Sequence, residues 1–109
     1  MDPIVVIDYQ TSTNISPYWE WLNALRDRKG KSIIEARINR IRRGLLGNVR
    51  SVGDGVYEIK IPFGPGYRVY YIPDGPAIFV LLCGGDKKSQ VQDIVRAKVY
   101  AFDHWRRKV

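Results

Sequence analysis

Between Val56 and Asp93 the chain brings several cations and one carboxylate to strand spacing, in VYEIKIPFGPGYRVYY and then LLCGGDKKSQVQDI. Alternation along a strand puts Glu58 and Lys60 on one face, and Arg68 on the returning strand can share it. Lys87 and Lys88 follow where a third, apolar strand gives way to a helix. Such a set suits a phosphodiester. Cleaving RNA needs no metal, because the 2′-hydroxyl is an internal nucleophile that has only to be oriented while charge is stabilised and protons are moved. In that reading Arg68 holds phosphate oxygens with its planar fork. Lys87 adds positive field near a helix N-terminus, where the dipole already favours anions. Glu58 accepts the 2′-hydroxyl proton, and Lys60 stabilises the phosphorane or protonates the leaving 5′-oxygen. The alternative is a surface ion pair of Glu58 and Lys60 on an exposed sheet face.

Other chemistries find little support. A single histidine and no local grouping of carboxylates give no convincing metal-ligand set, so no cofactor is expected. His104 sits in a basic C-terminal stretch and reads as a surface residue, which leaves nucleophilic triads weak. Cys83, the one cysteine, lies in the run AIFVLLC and reads as a buried, inert thiol. Gly84-Gly85 lacks the spacing of a phosphate-binding Walker loop and reads as the bend from strand to helix. The 109 residues carry 18 Lys and Arg against 11 Asp and Glu, a net charge of +7. One compact domain with a polyanionic partner, nucleic acid before membrane, is the expectation. The start of the sequence has no secretory pattern and its longest apolar run is too short to span a bilayer, so a cytoplasmic protein is expected.

The elements that must position these groups are legible in outline. Pro3–Tyr9 is β-branched and predicts a strand; Ser16-Pro17 predicts an N-cap and first helical turn, with Tyr18, Trp21, Leu22 and Leu25 at helical spacing up to a stop at Lys29-Gly30. A second helix is predicted from about Ser32 to Leu46, with Ile34, Ile38, Ile41 and Leu45 inward. Its Arg37, Arg40 and Arg43 lie mostly outward, as solvated surface or as an RNA contact. The short joint predicts an antiparallel helical hairpin. Strands follow at Val49–Val52, Val56–Ile61, Tyr67–Ile72 and Ile78–Cys83, the last apolar on both faces and so interior. Ser89 with Gln92 resembles a capping box for a final helix whose apolar face is Val91, Ile94, Val95, Ala101, Phe102 and Trp105. The order β-α-α-β-β-β-α predicts an α+β domain with a small, mainly antiparallel sheet.

Several of these segments, WLNALRD (Trp21 to Asp27), ARINRIRRGLLGN (Ala36 to Asn48), GDGVYEIKIPFGPGYRVYY (Gly53 to Tyr71) and LLCGGDKKSQVQDI (Leu81 to Ile94), resemble the RelE/ParE superfamily of bacterial type II toxins, in its HigB-like branch of addiction-module killer proteins. The resemblance covers nearly the whole chain and implies a single RelE-like domain over residues 1–109, a small sheet with a helical hairpin on one side and a helix after the last strand. It implies a ribosome-dependent mRNA endonuclease that works without metal and is neutralised by a cognate antitoxin, a helix-turn-helix protein of the HigA or Xre type. Arg68 matches the family arginine, Lys60 a basic position on the preceding strand, and Lys87 the basic contribution after the last strand. Glu58 falls where RelE has a lysine, Asp93 is placed to orient a nearby cation or support the helix start, and Lys88, Arg43 and Arg40 are the further RNA contacts. The rival readings are a ParE-like inhibitor of DNA gyrase and a degenerate toxin that retains only antitoxin binding.

Overall fold

The computed structural model describes residues 2–108. Its architecture is α+β: a five-stranded mixed sheet of order β1-β5-β4-β3-β2 with helices on both faces. The strands are β1 (Val5–Asp8), β2 (Val49–Gly53), β3 (Val56–Ile61), β4 (Tyr67–Pro73) and β5 (Ile78–Gly85). β2, β3, β4 and β5 form an antiparallel run, and β1 joins its far edge parallel to β5, pairing Val5 with Ile78 through Asp8 with Leu81. β5 is an interior strand, as its apolar run predicts, but the middle of the sheet is β4.

One face is covered by α1 (Pro17–Ala24) and α2 (Arg28–Arg42), α1 lying along β5 and α2 along β3. Ser16 caps α1, its side chain accepting from the Trp19 amide at 3.1 Å, with Pro17 at the first helical position. The second helix begins earlier than the sequence suggests. Asp27 is its cap, accepting from the Gly30 amide at 2.9 Å and from the Tyr67 hydroxyl at 2.7 Å. Gly30 therefore stops nothing; it sits inside the first turn, where a Cβ would lie 2.7 Å from the Tyr67 ring. Ile34, Ile38 and Ile41 of α2 pack with Ile59, Ile61, Val69 and Leu81 into a core that Tyr18, Tyr67 and Tyr71 also join. Leu45, predicted in that stripe, lies beyond the helix and is exposed.

The other face carries α3 (Gln90–Arg107), whose Ala97 and Ala101 rest on Val56, Tyr70, Ile72, Val80 and Leu82. The small side chains let the helix approach the sheet closely, and they shift the buried face: Ala101 and Ile94 pack inward as expected, but the rest of the expected apolar face does not. Val91, Val95, Phe102 and Trp105 point to solvent, while the buried line is Asp93, Ala97 and Ala101. Gly84 and Gly85 lie within β5 and do not bend it. They give room: a Cβ on Gly84 would fall 2.2 Å from the Trp21 ring, and one on Gly85 would overlap the Asp93 carboxylate at 1.7 Å.

Candidate functional site

The face under α3 also carries the polar cluster. In the β3–β4 ladder Lys60 stands opposite Arg68 and Glu58 opposite Tyr70, and across β2 Glu58 faces Arg50. The three residues Glu58, Lys60 and Arg68 therefore share a face, as the alternation predicts, but α3 covers much of it. Glu58 is 1% exposed and Arg68 6%, whereas Lys60 and Lys87 remain open to solvent.

Glu58 is a hub. Its Oε1 accepts from Arg50 Nε at 2.9 Å, and its Oε2 accepts from Gln90 Nε2 at 2.9 Å and from the Tyr70 hydroxyl at 3.1 Å. Burial works to raise its pKa, but the hydrogen bonds from Arg50, Gln90 and Tyr70 outweigh it and hold the carboxyl below its ordinary value. The same contact and burial push the Tyr70 hydroxyl far up, burial first. Glu58 is thus an ionised, enclosed anchor. The sequence casts it as an accessible base or half of a surface pair; the structure gives neither, because both oxygens are engaged and the group has almost no exposure.

Arg68 lies directly against this anchor, its Nε 3.7 Å from Glu58 Oε2, and it donates from Nη1 to the Gly66 carbonyl at 2.7 Å. Its Nε is buried without a hydrogen-bond partner, an unspent charged donor. Gly66, at φ +80, brings the hairpin turn onto the segment after β5: a Cβ there would lie 3.1 Å from Arg68 Nη1 and 3.6 Å from Lys87 Cβ. The Lys87 amide reaches the Pro65 carbonyl at 3.4 Å. Lys60, Arg68 and Lys87 are thereby brought to one end of the sheet by strand register and by the turn. Lys88 follows Lys87 at the exposed start of α3, where Asp86 Oδ1 accepts from the Lys88 amide at 2.9 Å and the Ser89 amide at 3.2 Å. Ser89 makes no capping bond to the helix backbone; its hydroxyl donates to Asp93 instead, so the capping box does not form. Asp93 also accepts from Arg96 Nη2 at 2.8 Å, and that is the cation it orients.

Arg40 and Arg43 are not part of this group. They are exposed at the end of α2, on the opposite face of the sheet. Cys83 is buried and its thiol is pushed up to about 12, chiefly by burial. His104 is half-buried and paired, Nε2 lying 3.0 Å from Asp74 Oδ2. Among the described residues no group of three or more His, Cys, Asp or Glu side chains could hold a metal ion, and no helix is long and apolar enough to cross a membrane.

Beside the cations lies a cleft of about 290 Å³ lined in part by Trp21, Tyr67, Gly84, Asp86, Arg96 and Tyr100. It begins at the neighbours of Lys87 and Arg68 in the chain. Sequence reasoning missed Trp21, Arg96 and Tyr100 here, and also Arg50 and Gln90 around Glu58. Arg50 was findable, since the β2–β3 turn sets it opposite Glu58. The others depend on how the helices pack.

No family model matches the chain. It is similar to an uncharacterized protein of Haemophilus influenzae, with 44% identity over 81 residues, 74% of this chain and 82% of the relative. At that identity and coverage the chain belongs to the same family as the Haemophilus influenzae protein.

Proposed function

We propose that the protein is the toxin of a type II toxin–antitoxin pair, a RelE-like, HigB-like member of the RelE/ParE superfamily that cleaves mRNA on the ribosome without a metal. The observation that carries this reading is the gathering of Lys60, Arg68 and Lys87 at one end of the sheet, with Lys60 and Lys87 open to solvent beside the buried Arg68. The α+β architecture, with two helices on one sheet face and a helix after the last strand, is compatible with it.

In this mechanism the 2′-oxygen attacks phosphorus as its proton departs, the bond to the 5′-oxygen breaks, and that oxygen takes up a proton. Lys60 and Lys87, both open to solvent, meet the equatorial oxygens, and Lys60 is also the donor to the leaving oxygen. Arg68 strengthens the positive field from beneath, held in place by Glu58 and the Gly66 carbonyl. Glu58 is a positioning residue here, and the base is another group. The partners are mRNA, the ribosome and a cognate antitoxin of the HigA or Xre helix-turn-helix type, and the site of action is the cytoplasm.

The test is to add the protein to translating ribosomes and map mRNA 5′ ends. Codon-phased cuts are expected, reduced at least about tenfold in Arg68→Ala, which removes the positive charge lying beneath Lys60 and Lys87. Arg68→Lys keeps the charge without the fork and should retain more cleavage than Arg68→Ala, with circular dichroism used to check that both variants fold. Intact mRNA with gyrase-linked DNA breaks would identify a gyrase inhibitor instead, and intact mRNA and DNA with tight antitoxin binding would leave only a binding protein.

A further inference from the structure

Helix α3 has two apolar faces, and the protein uses only one of them. Besides the buried Ala97 and Ala101, five large apolar side chains stand outward: Val91 at 78% exposure, Val95 at 60%, Val99 at 60%, Phe102 at 70% and Trp105 at 43%. They form one continuous stripe. Patches of this kind on a soluble surface mark interaction sites.

The stripe has a register. Positions 91, 95, 98, 102 and 105 are separated by four, three, four and three residues, the 3.5-residue repeat that meets another helix by knobs into holes. A hollow of about 300 Å³ between Asp54, Lys98, Ala101, Phe102 and Trp105 offers a socket in the C-terminal half. Valines along a helix give nucleic acid nothing to pair with. The one polar member of the seam is its centre, Lys98, whose ammonium lies 3.3 Å from Asp54 Oδ2 on the β2–β3 turn. Arg106 and Lys108 flank the C-terminal end, with the Lys108 ammonium 5.6 Å from the Trp105 ring centroid.

Position 98 also decides between occupants. It is the midpoint of Val91 and Trp105, so a second copy aligned along the full seam, parallel in register or antiparallel, sets one Lys98–Asp54 pair against an identical pair and brings no additional carboxylate to Lys98. A chain of net charge +7 adds repulsion to that mismatch. We infer that the outer face of α3 is a docking surface for an amphipathic helix of a partner protein, apolar at its own seam and carrying a carboxylate opposite Lys98. A polar residue at one seam layer fixes register and partner choice in such pairs. The inference does not depend on the nuclease reading, since no residue of the cation group takes part.

Two synthetic three-heptad peptides are the probes, leucine at every seam position except the central one, which is glutamate in one and lysine in the other. Titration into the ¹⁵N-labelled protein is expected to shift amides along 91–105, with the glutamate peptide binding at least about tenfold tighter. Lys98→Glu combined with Asp54→Asn should reverse the preference; asparagine tolerates the positive φ of 55 at position 54 as aspartate does. Equal affinities, no reversal, shifts outside the helix, or no binding to either peptide would each overturn the proposal. So would a concentration-dependent dimer that Phe102→Ser abolishes, which would make a second copy the occupant.

Discussion

Glu58 and Ile59 are neighbours on one strand, yet they enter different environments. Ile59 joins a core of isoleucine, valine, leucine and tyrosine under α1 and α2. Glu58 enters a layer under α3 where a carboxylate, a guanidinium and a tyrosine hydroxyl are buried together. The first face is filled by branched side chains from α2, so its stability comes from packed volume. The second is covered by alanines, and the closeness they permit lets Gln90 and the start of α3 reach the sheet. The α1–α2 side holds the fold; the α3 side spends some of that stability on fixed charge next to a cationic surface.

The sharpest way to break this contrast is to remove the anchor. Glu58→Ala strands Arg68, Tyr70 and Gln90 without their shared acceptor, and losing one partner of a buried charged pair costs about 3–5 kcal/mol. The urea midpoint should fall accordingly. Cleavage per folded molecule should fall as well, because Arg68 loses the group that holds it. Ile59→Ala is the companion on the opposite face. It removes packed volume only, for about 2–5 kcal/mol, and should leave the cleavage of the folded fraction unchanged. Equal effects on cleavage from the two variants would remove the functional distinction between the faces.

How far the contrast could be read in advance depended on whether a signal was local. Alternation placed Glu58, Lys60 and Arg68 on one face, because strand period and a tight hairpin fix parity. The Ser16-Pro17 start of α1 was legible for the same reason: cap and helix are adjacent. The start of α2 was misjudged because Gly30 looks like punctuation, whereas it is a packing site beneath Tyr67, distant in sequence. Gly84-Gly85 misled in the same way, since their reason for being small is Trp21 and Asp93. The outer stripe of α3 was the largest misreading. Hydrophobic residues at helical spacing imply burial against something, and periodicity does not say that the something is the same molecule. Burial of Glu58 was invisible for a related reason, as its cover comes from a helix more than thirty residues away.

A pH titration sharpens the account of the anchor. The folded pKa of Glu58 lies below the ordinary 4.5. Its charge therefore contributes stability that is full above the unfolded value and is lost as pH falls through the lower folded one. The wild-type advantage over Glu58→Gln should be constant near neutrality and close from about pH 5 downward. Glutamine keeps a carbonyl acceptor for part of the network, so this gap is smaller than the loss in Glu58→Ala. A gap that widens on acidification would mean that the carboxyl is held above its ordinary value, and the anchor would then be neutral in the fold.

The smallest effect is expected where the exposed apolar area is largest. Phe102 points away from the sheet, and the helix it sits on is held by Ala97 and Ala101 on the other side. Phe102→Ser should change stability by no more than about 0.5 kcal/mol, the range for surface positions without a special role. The same change should abolish binding of the glutamate-centred peptide, since Phe102 is both a seam residue and a wall of the hollow beside Lys98. Ala97→Ser, on the buried face, provides the opposite control: it puts a hydroxyl into the apolar contact with the sheet, which costs about 1–3 kcal/mol if unpaired, while leaving the outer seam and its hollow intact. Loss of stability in Phe102→Ser comparable to that in Ala97→Ser would show that the outer stripe supports the fold of the isolated chain. Separate responses would mean that one helix serves two surfaces, the inner made of small residues for contact with its own sheet and the outer of large ones for contact with another chain.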